Sequence, residues 1–123
     1  MRLPKALPPE TVPFFTTYLE MARIEPDQLV AQVRAYLDTV RAAAKTSPTI
    51  DVDLAERIGH GVEQLLAQAK SPDYPYVQAA AIYLIEDEDD QGDLTSCIGF
   101  DDDAEVFNAV CKFLDHPELA VDF

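Results

Sequence analysis

Between Lys70 and Lys112 the chain has no lysine or arginine, yet the same stretch carries 11 of its 23 carboxylates. Only nine bases are present in all, eight of them in residues 1–70, where nine acids nearly balance them. The net charge of −14 is therefore an excess of the C-terminal part. Without a basic footprint, binding to nucleic acid or to an anionic membrane is excluded as an expectation. Cysteine is scarce: Cys97 and Cys111 are the two, and they form no CxxC pair. No apolar run approaches the ~20 residues that a membrane-spanning helix needs. The start, Met1-Arg2-Leu3-Pro4-Lys5, runs into prolines and not into the apolar core of a secretion signal. The cytoplasm, with free thiols, is the expected location. Phosphate-cradling glycine loops, GxSxG, HExxH and paired Cys/His spacings are all missing. Paired carboxylates can do acid–base work, but no motif points to an enzyme.

With 123 residues, 48% of them apolar and 26% charged, the chain is sized for one domain with one core. Its apolar residues recur at helical spacing. A proline-rich arm (Pro4, Pro8, Pro9) leads to a helix from about Thr11, tied down if Leu3 and Leu7 find a groove. Pro26 opens a second helix with the stripe Leu29, Val33, Tyr36, Leu37 and Val40. A third starts at Asp51 or Asp53, where Asp53 and Glu56 resemble a capping box. Ser71-Pro72-Asp73-Tyr74-Pro75 reads as a turn and the start of a fourth helix, which runs to about Glu86 with Val77, Ala80, Ala81, Leu84 and Ile85 inward and Tyr76 and Tyr83 at the margins. A fifth begins at Asp101–Asp103, carries Val106, Phe107, Val110, Cys111 and Leu114, and ends at Pro117. These stripes predict an all-α fold, an irregular bundle of about five helices. Leu37, Ile58, Val62, Leu65, Leu84, Val106, Phe107 and Val110 are the expected core.

Gly59-His60-Gly61 interrupts the third helix, where each glycine costs roughly 1 kcal/mol relative to alanine. Two readings stand. Either a neighbouring helix comes close there, or the segment is a kink or ligand site at His60.

The acidic segment has two halves. Asp101, Asp102, Asp103 and Glu105 sit at a predicted helix N-terminus, where carboxylates are favoured by ~0.3–1 kcal/mol each. Glu86 to Asp90 sit at a helix C-terminus, where negative charge is unfavourable. As an EF-hand, Asp87, Asp89, Gln91, Gly92 and Asp93 fill the first positions, but Ile98 stands where the bidentate glutamate belongs. A looser oxygen-ligand site that adds Asp102 or Asp103 is a second reading, and a solvated acidic loop a third.

Tyr83, Asp89, Asp93-Leu94, Ile98-Gly99-Phe100 and Asp102-Asp103 stand in an order that resembles the signature of the YkvA-like family of small bacterial proteins, whose function is unknown. The resemblance covers residues 83–104. It implies a helix–loop–helix in which the loop acids approach the Asp pair. It implies Asp89, Asp93, Asp102 and Asp103 as a structural or cation-binding constellation, with Ca²⁺ or Mg²⁺ as the cation. Asp87, Glu88, Asp90, Gln91 and Gly92 replace the prolines and apolar residues common in the family's loop, so a membrane role is not expected. Tyr83, Gly99 and Phe100 are expected to fix the loop, Gly99 by taking positive φ. The function expected from all this is a protein-interaction module that presents its acidic face to a basic partner. The alternative is a divalent-cation module.

Overall fold

The computed structural model describes residues 2–86 and 100–122. Helix α1 spans Val12–Leu19, α2 Pro26–Ala44, α3 Val52–Gln68, α4 Tyr74–Glu86 and α5 Asp101–Phe113. Single 3-10 turns at Pro9–Thr11 and Pro117–Leu119 flank them, and no strand occurs among the described residues. The fold is the all-α bundle that the stripes predict. All eight expected core residues are buried, from Val62 and Val110 at 0% exposure to Leu37 at 2%.

Helix starts follow the proline and aspartate signals. Pro13 and Pro26 lie in the first turns of α1 and α2, where a missing N–H costs nothing. Asp51 caps α3, its side chain accepting the Leu54 N–H at 3.0 Å. The expected capping box at Asp53 is corrected by this geometry. Asp53 instead pairs with Arg57 one turn on at 3.0 Å, and Glu56 reaches across to Arg41.

Helices α2 and α3 form an antiparallel pair. Arg34 holds Glu63 through two N–H donors, at 3.0 and 3.2 Å, while Arg41, further along α2, meets Glu56, further back on α3. Between these ion pairs Gly59 faces Leu37 so closely that a Cβ there would lie 2.8 Å from Leu37 Cδ1. A Cβ on Gly61 would lie 2.3 Å from Phe107 Cζ of α5. The two glycines therefore let α2 and α5 approach α3 on two sides, and His60 between them faces outward. Of the two readings of this segment, close approach is the one the packing explains.

Helix α4 departs from expectation. A one-sided core face was expected, but every residue from Tyr76 to Leu84 is buried, and Ile85 is the one left partly exposed. The helix touches α1, α2, α3 and α5, so it has no solvent side to make polar. Gln78 is the exception in its sequence and is 3% exposed. Its Nε2 donates to the Ala22 carbonyl at 2.9 Å and its Oε1 accepts the Ile24 N–H at 2.8 Å. The Tyr74 hydroxyl also donates to the Ile24 carbonyl. Together they fix the α1–α2 linker to α4 and satisfy polar groups that burial would otherwise penalise.

Helix α5 ends earlier than Pro117. The His116 N–H donates to the Cys111 carbonyl at 2.7 Å and the Asp115 N–H to the Lys112 carbonyl at 3.2 Å. This is a Schellman closure, with Asp115 at φ 66° in the place that glycine usually takes. The chain then turns back along α5. Asn108 clasps Val121 by two bonds, Nδ2 to the carbonyl at 2.9 Å and Val121 N–H to Oδ1 at 2.8 Å. Arg57 of α3 donates to the Asp122 carbonyl at 2.8 Å, which ties the tail to both helices.

Candidate functional site

The N-terminal arm brings charged residues alongside α5. Leu7 is buried at 7% exposure and Leu3 half-buried, so the apolar anchors expected of the arm do seat it. The Thr11 hydroxyl donates to the Pro8 carbonyl at 2.7 Å and closes the turn into α1. At the other end of the arm the Tyr76 hydroxyl donates to the Arg2 carbonyl at 2.7 Å. The Arg2 guanidinium lies 5.5 Å from the centre of the Phe113 ring, which itself packs on Tyr76 at 4.7 Å. Arg2, Lys5 and Ala6 thus adjoin Ala109, Lys112 and Phe113. Glu10 comes close enough to Glu105 to act on its ionisation. The arm therefore runs antiparallel to α5.

At the N-terminal end of α5, Glu10 joins Asp101, Asp102 and Glu105. Burial, and then repulsion from Asp102, Glu10 and Asp101, pushes the Glu105 carboxyl above its ordinary value. None of Glu10, Asp101 and Glu105 has an ion-pair partner among the described residues. Glu10 was invisible as a member of this group in the sequence, because 91 positions and two helix directions separate it from Asp101. Gln78 was also missed, although a lone glutamine in the apolar run from Tyr76 to Ile85 is a readable signal for a buried tether.

The expected loop residues divide as follows. Asp102 is exposed and Asp103 is buried at 2% exposure, so these neighbours face different surroundings on the first turn of α5. Phe100, the residue before that turn, is 2% exposed. Tyr83 is 7% exposed and stacks edge-on against Tyr18 of α1 at 6.4 Å. Asp89, Asp93 and Gly99, like the EF-hand-like run from Asp87, lie outside the described residues. Among the described residues, no three of His, Cys, Asp and Glu gather in a way that could hold a metal ion.

Two further candidates resolve structurally. Burial, with a small addition from Glu118, pushes the Cys111 thiol up to about 12, so it is a packing group and not a nucleophile at neutral pH. His60 borders a hollow shared with Arg57, Gln64 and residues 118–122. No helix among the described residues is long and apolar enough to cross a membrane. No family model, curated protein or solved structure matches the chain.

Proposed function

We propose that the chain is a protein-interaction module that offers its acidic end to a basic partner. The observation that supports this is that Glu10, from the arm, acts together with Asp101 and Asp102, from α5, on Glu105, whose carboxyl is held above its ordinary value by burial first and then by their repulsion. Like charges held together by the fold are an unfavourable arrangement that a cationic surface relieves on contact. Helix capping accounts for Asp101 and Asp102 at the α5 N-terminus but not for Glu10, which belongs to another segment. The resemblance to the YkvA-like family fits this reading as a helix–loop–helix and adds no activity to it.

The test is calorimetry with an oligo-arginine peptide and two double variants of equal charge. Glu10→Lys with Glu105→Lys alters the proposed face. Glu20→Lys with Asp122→Lys makes the same change in net charge at exposed positions elsewhere. The face variant is expected to weaken binding at least about tenfold and the control by less than about twofold, with binding lost progressively in salt. Equal weakening by both would mean that only net charge matters, and the reading would fall.

The divalent-cation reading keeps one supporting observation, the burial of the Asp103 carboxylate beside the exposed Asp102. Under it, millimolar Ca²⁺ stabilises the fold beyond an NaCl control of matched ionic strength, and Asp102→Asn removes the excess. Equal shifts in the two salts leave the interaction reading alone.

A further inference from the structure

A groove of about 500 Å³ opens between the arm and the last turn of α5. Its wall is apolar: Leu3, Ala6, Ala109 and Phe113. Its cations are Arg2, Lys5 and Lys112. In a chain with nine bases against 23 acids, three of the nine meet at one place. The four arginines elsewhere are used differently, whereas Lys45 and Lys70, both exposed, have no ion pair either among the described residues. Arg23, Arg34, Arg41 and Arg57 each hold a carboxylate within 4 Å, at 3.5 Å or less. Arg2, Lys5 and Lys112 hold none among the described residues, although carboxylates outnumber them across the molecule.

The bland explanation covers one of the three. Lys112 lies in the last turn of α5, where the carbonyl end of the helix favours a cation. That effect fades within a turn and does not explain why the arm delivers two more cations to the same spot. Arg2 is also held there by specific contacts, its carbonyl by the Tyr76 hydroxyl and its guanidinium over Phe113.

We propose that this groove binds an amphiphilic carboxylate, its acyl chain lying along Leu3, Ala6, Ala109 and Phe113 and its head among Arg2, Lys5 and Lys112. The size falls within the range of small-molecule sites, about 300–1,000 Å³. The lining matches both parts of such a ligand. The apolar wall gives the chain a surface that removes it from water, and the cations give the head charge-assisted hydrogen bonds. An inorganic anion would use the cations and leave the wall unused, and a neutral alcohol would do the reverse. The site is at the opposite end of α5 from the acidic group, so it stands independently of the interaction reading.

The experiment is calorimetry on the full chain with decanoate, decanol, acetate and an oligo-glutamate peptide. Decanoate is expected to bind saturably below about 1 mM, with acetate and decanol each at least about tenfold weaker, because each lacks one of the two contacts. Two variants locate the site. Lys5→Glu with Lys112→Glu changes exposed side chains only and should weaken decanoate at least about tenfold. Ala6→Trp puts bulk into the groove from an exposed position and should do the same, with both variants keeping the helical far-ultraviolet spectrum of the parent. Four results overturn the proposal: no decanoate binding, equal affinity for decanol, decanoate binding unchanged in both variants, or oligo-glutamate bound more tightly than decanoate. The last would make the groove a peptide surface instead.

Discussion

The two ends of α5 carry opposite charges, and the arm adds charge of the same sign to each. At the N-terminal end Glu10 lies near enough to act on Glu105, beside Asp101 and Asp102; at the C-terminal end Arg2 and Lys5 line one groove with Lys112. An arm running the other way would have paired opposites at both ends. The direction is set by something stronger than surface charge. Burying Leu7 is worth about 1.5–3 kcal/mol, whereas exposed ion pairs contribute about 0–1 kcal/mol. The Arg2 carbonyl bond to Tyr76 and the turn closed by Thr11 reinforce that choice. Apolar anchors thus fix the backbone, and the charges go where it takes them. The outcome is a molecule with a concentrated acidic end and a small basic one, about 20 Å apart along a 13-residue helix at 1.5 Å per residue.

Several substitutions would break or sharpen this contrast. The largest effect is expected from Phe107→Ala. Phe107 is 1% exposed in the middle of α5 and faces Gly61 of α3, so its loss should cost about 3–5 kcal/mol. Both ends should then weaken together in a denaturant melt. Gly61→Ala attacks the same contact from the other side and should cost about 1–3 kcal/mol by overpacking, since the new methyl would meet the Phe107 ring.

Leu7→Ala tests the arm alone, at about 2–3 kcal/mol, near the low end for buried leucine. Freed of its anchor, the arm should withdraw Glu10 from Glu105. The Glu105 carboxyl, followed by nuclear magnetic resonance titration, should move back towards its ordinary value of 4.5. A carboxyl that does not move would mean that Glu10 contributes nothing.

Asp115→Gly should stabilise by about 0.5 kcal/mol. It relieves the left-handed backbone at φ 66° and removes a negative charge from a helix C-terminus. Thermal melting would show a small rise, and a fall would mean that the aspartate side chain supports the closure.

The smallest effect is at Glu105. Its raised value means that the folded state holds its proton more tightly than the unfolded chain does. Its contribution to stability therefore falls as pH rises through the window from 4.5 to that raised value. Because the side chain is largely exposed, solvent screening keeps the effect small. Glu105→Gln should raise the melting temperature slightly at neutral pH and low salt, and the gain should shrink as salt is added.

The helices were legible because each one except α4 has a wet side. A stripe exists only where polar residues mark the opposite face, and α2, α3 and α5 show one. Tyr74–Glu86 was legible as a helix but not as a helix surrounded by others, since burial on all sides erases the period that would reveal its orientation. The start of α3 was ambiguous because Asp51 and Asp53 are both good caps; Asp51 takes the cap, Asp53 pairs with Arg57 one turn on, and Glu56 is drawn across to Arg41 of α2. Of the site, the acids at the start of α5 were readable as a group. Glu10 and the basic groove were not, because both depend on the direction in which residues 2–10 cross α5.

The position of α4 also governs when the protein can fold as it is made. Four helices rest on this one, and it is the fourth to be synthesised. Until residue 86 has left the ribosome, α1 has nothing to pack on, and α2 and α3 can form no more than a two-helix hairpin with its inner face wet. The first 70 residues must therefore wait as an incomplete chain. The segment that ends the wait is itself apolar along most of its length and exposes that surface until its neighbours cover it. The helix that covers α1, α2 and α3 is thus made after all three.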